Sequence, residues 1–409
     1  MSAVDENPYH LLPPELIAAI LDNLIDDYRA LFNVGLANKL MHDMSRRLLY
    51  RTMYSIFNAQ SKNRKAGIPR NSNRAVLSVL KNLNLASYVL EYTIEDPAPL
   101  FGQSPSPLQS LRRGLHAMVN LRHLTIETYS PERWKLLFDF DSQFPAPRVP
   151  FQLETFACKG HDIRLTCTTS YADLSAFLHT QDRLRRVDVQ LSRDSWEYSW
   201  EHKTGGLLER DTQMVPFPPS ACPQLEWVIG NRAAIEALLP GRKVRVLQWK
   251  YCWSDARGSI RYLAKELGHL EVLALPDSGW LGVDPPVLQM AKYMRNLQYL
   301  EVQNTDFGSL AWALTLPSLL GIVLLDSRDR HRPINTPARR EKAADFFEQL
   351  LTLQFIAVEL PSSLKNNFEL WRRLHNSRTN MEGSKTYDLV REPEYVKYSF
   401  IQRIIYPFI

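Results

Sequence analysis

Leu297-Gln298-Tyr299-Leu300-Glu301-Val302 sets the reading of this chain. Apolar residues stand at the first, fourth and sixth places, and the last three alternate as in a strand with one buried face. The same frame returns as Leu121, Leu124 and Ile126, as Leu153, Phe156 and Cys158, and as Leu184, Val187 and Val189. Leu225 with Val228 is a partial copy. Val244, Leu247 and Trp249, then Leu270, Leu273 and Leu275, then Leu319, Ile322 and Leu324 repeat it in full. Phe355, Val358 and Leu360 are read as the closing copy. Intervals between starts run from 19 residues (225 to 244) to 41 (184 to 225), so the array is irregular.

Helical patterns lie between these strands. They are Leu108, Leu111, Leu115 and Met118; Leu174, Phe177 and Leu178; Ile235, Leu238 and Leu239, stopped by Pro240; and Ile260, Leu263 and Leu267, stopped by Gly268. Pro285-Pro286 opens another, with Leu288, Met290, Ala291 and Met294. A strand that returns to the same sheet edge through a helix must run parallel to its predecessor. The frame resembles a leucine-rich repeat in its divergent, F-box-associated form, over about residues 84–360. That resemblance implies an α/β solenoid with parallel strands. Ser278 and Thr305 stand where such repeats carry asparagine, so no asparagine ladder is assumed. An ordinary α/β domain with a mostly parallel sheet is the alternative.

Ahead of the array, residues 11–54 are amphipathic. Pro13-Pro14-Glu15 marks a helix start, because proline suits the first turn and acids favour the N-terminus. Leu16, Ile20 and Leu24 recur at helical spacing, and Ile17, Leu21 and Ile25 repeat it one place on. Leu31, Phe32, Val34 and Leu36 follow, then Leu40, Met44 and Leu48. Three short helices in roughly 40 residues bury too little to stand alone, so the surplus apolar face is expected to point outward, to another protein. Leu12, Pro13, Glu15, Leu16, Ile20, Leu24, Leu31, Leu36, Ala37, Asn38, Leu49 and Tyr50 together resemble an F-box. The resemblance implies docking to a Skp-family adaptor and, through it, a cullin–RING ubiquitin ligase. Leu12, Pro13, Leu16, Ile20, Leu24, Leu31 and Leu36 are the residues expected to meet the adaptor.

The resulting domain plan is a three-helix F-box over 8–55, a basic linker and short helix over 56–83, the repeat array over 84–360, and a helical cap over 361–409. The linker carries Lys62, Arg64, Lys65, Arg70 and Arg74, with a short helix over 75–83 and a strand from Tyr88 to Ile94. The cap is read from Leu364, Phe368, Trp371 and Leu374, and from Tyr395, Tyr398, Ile401 and Ile405. Two insertions break the rhythm. Residues 326–337 are basic and lead into a helix over 338–353. Residues 192–221 hold Trp196, Tyr198 and Trp200, which alternate and would project from one side of an extended segment. They are the candidate substrate-binding residues, the other reading being that they cover the repeat core.

Composition narrows the function. The chain has 409 residues, 45% hydrophobic and 23% charged, with a net charge of +5, an ordinary globular balance that does not by itself argue for nucleic acid, which is not expected as a partner. Four irregularly spaced cysteines fit a reducing compartment. No signal-peptide pattern or long apolar run is seen, so a cytoplasmic or nuclear protein away from membranes is expected. Neither a P-loop nor a Gly-x-Ser-x-Gly elbow is present; Pro276-Asp277-Ser278-Gly279-Trp280 lacks the first glycine. Cys158, His161 and Cys167 lack a further close pair of ligands, so no metal and no cofactor are expected. The expected function is substrate recognition in an SCF-type (Skp–cullin–F-box) ubiquitin ligase, itself non-catalytic, with an unknown protein substrate. An α/β enzyme with an unrecognised site and a non-degradative F-box scaffold are the alternatives.

Overall fold

The computed structural model describes residues 12–56, 78–79, 81–95, 105–128, 137–138, 149–160, 171–191, 215–250, 260–275, 290–303, 308–325, 337–359, 367–372 and 392–395. The chain divides into two compact units, Met1–Cys167 and Thr168–Ile409.

The first unit begins with three helices, α1 (Pro14–Asp22), α2 (Tyr28–Gly35) and α3 (Lys39–Leu49). Local chemistry sets their starts. Pro14 and Glu15 occupy the first turn of α1, where the missing proline N–H costs nothing. Asp27 caps α2 by accepting from the Arg29 and Ala30 amides at 3.1 and 2.9 Å. Asn38 caps α3 by accepting from Met41 at 2.8 Å. Such caps are each worth about 1 kcal/mol. Ile17, Leu21 and Leu31 form the shared core, with Leu24, Val34, Met41, Met44, Leu48 and Leu49 packed against it.

Four parallel strands follow: β1 (Thr52–Ile56), β2 (Glu91–Glu95), β3 (His123–Thr128) and β4 (Thr155–Gly160). Met53, Tyr92, Leu124 and Phe156 pair side by side in one buried row, and Ser55, Ile94, Ile126 and Cys158 make the next. The sheet therefore starts at Thr52, inside the stretch assigned by sequence to the F-box, and not at residue 84. The frame there is Tyr50, Met53 and Ser55, disguised by a serine at its sixth place. Ser55 tolerates burial because its hydroxyl meets the buried Tyr92 hydroxyl at 3.1 Å. A 3-10 turn over Leu83–Tyr88 delays β2 to Glu91, three residues beyond the expected strand start.

In the second unit β5 (Arg186–Val189), β6 (Trp227–Gly230), β7 (Val246–Trp249), β8 (Val272–Leu275), β9 (Tyr299–Gln303), β10 (Gly321–Leu325) and β11 (Phe355–Glu359) are parallel and adjacent in chain order. The fourth places of the frame, Val187, Val228, Leu247, Leu273, Leu300, Ile322 and Ile356, align in one buried row. Helices or 3-10 turns fill the crossovers, among them Tyr171–Leu178, Arg232–Leu238, Ala264–Leu267 and Ala291–Tyr293. Pro285 and Pro286 lie outside the described residues. The late helix runs Pro337–Gln349.

The partial copy at β6 has a steric cause. Gly230 fills its sixth place, and a Cβ there would run into the Val189 carbonyl and lie 2.7 Å from the Ala234 Cβ. The helix Arg232–Leu238 starts directly afterwards, capped by Asn231, whose Oδ1 accepts from Ala234 at 3.2 Å. Asn231 also bridges to β5's exit, donating to the Leu191 carbonyl at 2.8 Å and accepting from its amide at 3.1 Å.

Two expectations at the C-terminal end are corrected. The closing frame is Leu353, Ile356 and Val358, since Ile356 and Val358 pair with Ile322 and Leu324. Phe355 instead takes the opposite face, where its ring fills the space that a side chain at Gly321 would need. Gly321→Ala is therefore expected to destabilise the unit by about 1–3 kcal/mol through overpacking. Denaturant unfolding checks this, and adding Phe355→Leu should recover part of the loss. Strictly additive effects would show that the ring is not the obstacle.

The helical cap is the second correction. β12 (Asn367–Arg372) pairs antiparallel with β11, and β13 (Glu392–Tyr395) with β12. Phe368 and Trp371, read as one helical stripe, belong to a strand that hydrogen-bonds the open edge of β11. Leu370 and Trp371 are both buried though they point to opposite faces, because this sheet is apolar on both sides. Residues 396–409 lie outside the described residues.

Candidate docking surfaces

The three-helix module leaves much of its apolar surface outside. Leu12, Leu16, Ile20, Phe32, Leu36 and Leu40 are between 40 and 70% exposed. Leu16 and Ile20 are one turn apart on α1, and Phe32 and Leu36 one turn apart across α2 and its C-cap. Pro13 is exposed as well. Leu31 is fully buried and Leu24 half-buried, both in the module's own core. Of the seven residues expected to face the adaptor, these two are placed to hold the helices together. Phe32 and Leu40 join the exposed set without having been singled out, although the Phe32–Leu36 spacing carried the signal. Monomers seldom expose so many large aliphatic groups together, and such patches mark association surfaces.

Trp196, Tyr198 and Trp200 lie outside the described residues. The end of their insertion does not. Phe217 is buried, and its amide donates to the Ala237 carbonyl at 2.9 Å. Arg242 fastens the segment. Its guanidinium, almost fully buried, donates to the carbonyls of Phe217, Pro218, Ala221, Leu238 and Pro240, the tightest at 2.6 Å to Pro218. No single turn of sequence announces this, because the carbonyls come from two separated stretches. Burial also pushes the neighbouring Cys222 thiol up to about 11, against the opposing pull of Arg242, so it stays protonated at neutral pH.

The second face of the β5–β12 sheet carries an apolar cluster drawn from strands: Trp227, Ile229, Val272, Val323, Phe355, Ala357 and Leu370. Tyr299 and Phe355 stack across it, with ring centres 6.4 Å apart. At one end the Arg186 guanidinium lies 3.8 Å from the centre of the Trp227 ring. Beside them Lys250 bonds Asp188 at 2.5 Å, spanning β6. Along the strand starts, second-place residues of opposite sign pair across neighbours. These are Arg185 with Glu226 at 2.8 Å and Arg245 with Glu271 at 2.6 Å, and in the first unit Arg122 with Glu154 at 3.4 Å. Being largely solvated, each is worth under about 1 kcal/mol, but like charges opposite each other would disfavour slipped registers. A shallow groove of about 360 Å³ follows this rim past Lys243, Arg245, His269 and Glu271.

Cys158 is buried in the strand row, while His161 and Cys167 lie outside the described residues. Among the described residues no group of three potential metal ligands is found, and no helix is long and apolar enough to cross a membrane.

No family model matches the chain, and no curated protein matches it either. Among solved structures it is similar to one described as the crystal structure of the TLR13-ssRNA13 complex, with 11% identity and a TM-score of 0.35. The match covers 69% of this chain and 34% of that one, so the chain spans about a third of that protein's length.

Proposed function

We propose that the protein is the substrate-recognition subunit of an SCF-type ubiquitin ligase. The observation that carries the reading is the exposed apolar face of α1 and α2, on a module whose residues resemble an F-box. Leu12, Leu16, Ile20 and Leu36 would meet a Skp-family adaptor, with Pro13 setting the helix start. The strand–helix repeats downstream would hold the target protein. Two residues separate α3 from β1, so adaptor and repeats would be joined by a short link within the first unit.

Such a subunit needs no active site, metal or cofactor of its own. It acts by holding a substrate beside a ubiquitin-charged enzyme, and short tethers raise effective concentration to roughly millimolar. Its place would be the cytoplasm or nucleus, where that machinery works. A scaffold that binds the adaptor without delivering a substrate is the second reading, supported by the same face.

Co-purification of the full chain with a Skp-family adaptor tests the assignment. Stoichiometric capture is expected, and no capture at micromolar concentrations would overturn it. Ubiquitin transfer to proteins co-captured with the assembled ligase separates the ligase subunit from the scaffold.

A further inference from the structure

On the second face of the β5–β12 sheet, one buried polar atom has no partner among the described residues. Trp227 is only 8% exposed, and its indole Nε1 is buried with no hydrogen-bond acceptor. A buried, unpaired N–H costs about 1–3 kcal/mol, and native folds keep few of them. Arg186 stands beside it in register on β5, its guanidinium stacked on the indole face. Among the described residues Arg186 makes no ion pair. The carboxylate two places along its strand, Asp188, is already held by Lys250.

We propose that Arg186 and Trp227 form an oxyanion site that takes the carboxylate or phosphate group of a bound peptide. A guanidinium presents its N–H groups as a planar fork that matches two oxygens of such a group. Stacking on the indole fixes that plane in advance, so little order remains to be lost on binding. The N–H of the stacked indole is a further donor without an acceptor, and an anion that reaches it removes the cost of leaving it dry. Charge complementarity selects the occupant: an unpaired cation with an unpaired donor, beside Val246 on the same face, fits an acidic residue flanked by apolar ones. The choice of a peptide rests on the substrate-receptor reading above; the anion chemistry does not.

The test uses the isolated full chain and the Trp227 indole N–H resonance, identified by its loss in Trp227→Phe. Probes are inorganic phosphate and three synthetic peptides alike except for a central Glu, phosphoserine or Ala. Phosphate and at least one of the Glu and phosphoserine peptides should move the resonance downfield to saturation, the Ala peptide should not, and the tighter of the two names the natural group. Arg186→Gln should weaken binding about tenfold or more, equivalent to 1.4 kcal/mol. Arg186→Lys should fall between, with unchanged melting showing that both variants are folded. A resonance that no anion moves, or that moves equally in Arg186→Gln, overturns the site. The Leu16→Asp, Ile20→Asp protein should titrate like the parent. Saturable anion binding without adaptor capture would uphold the site and remove the ligase reading.

Discussion

Leu16→Asp with Ile20→Asp is expected to abolish capture of a Skp-family adaptor while leaving the chain folded. Both side chains are about half exposed, at 52 and 51%, so in the free protein the new carboxylates remain in water. On docking they would be driven into an apolar contact, where an unpaired charge costs several kcal/mol. At about 1.4 kcal/mol per tenfold, the affinity should fall by at least about a hundredfold. Calorimetric melting within about 2 °C of the parent, on the scale of a surface change, shows the loss is not unfolding. Leu31→Asp is the internal contrast. That residue is fully buried among the three helices, and its substitution should melt the module itself. Undiminished capture by the folded double variant would remove the F-box assignment.

The second large effect belongs to Arg242. Removing its side chain in Arg242→Ala leaves the carbonyls of Phe217, Pro218, Ala221, Leu238 and Pro240 without their common donor. Unmet buried polar groups cost about 1–3 kcal/mol each, less where the segment relaxes towards water, so a net loss of about 3–5 kcal/mol is expected. In a unit of this size that lowers the melting temperature by roughly 10 °C. Burial already lowers the tendency of this guanidinium to hold its proton, but the ring of carbonyl dipoles around it favours the charged form. Arg242→Lys keeps the charge with fewer, rounder donors and should lose about half as much. A melting temperature unchanged in Arg242→Ala would show that 215–221 is not fastened to the repeats by this residue.

Much of the architecture was legible because one short pattern is repeated under one physical demand. Every parallel strand places its fourth residue in a fully dry row, and only apolar side chains persist there, so Leu124, Leu247, Leu300 and Ile322 declare themselves. Where the frame failed, the reason was not local. Ser55 is a polar residue in the neighbouring sixth-place row, rescued by Tyr92 from a strand 37 residues away. Phe355 and Ile356 are both apolar, and only the vacancy at Gly321 decides which of them faces inward. Leu364, Phe368 and Trp371 keep helical spacing, yet the unpaired edge of β11 takes Phe368 and Trp371 as strand. The exposed face of the N-terminal module was readable as a surplus of apolar residues; which members of the set are spent internally, Leu24 and Leu31, was not.

Sequence alone settles the strand positions of most repeats, their parallel sense, and the helix start at Pro14, because these depend on periodicity and on chemistry within one turn. Tertiary structure decides what depends on partners far along the chain. The strand added at Thr52, the antiparallel pair that closes the far edge, and the Arg242 anchor are of that kind. So is the Arg186–Trp227 pair, brought side by side across 41 residues only when β5 and β6 align in register. A frame can say that a residue is in a strand, but the neighbour across the sheet determines which groups it meets and which polar atoms remain unpaired.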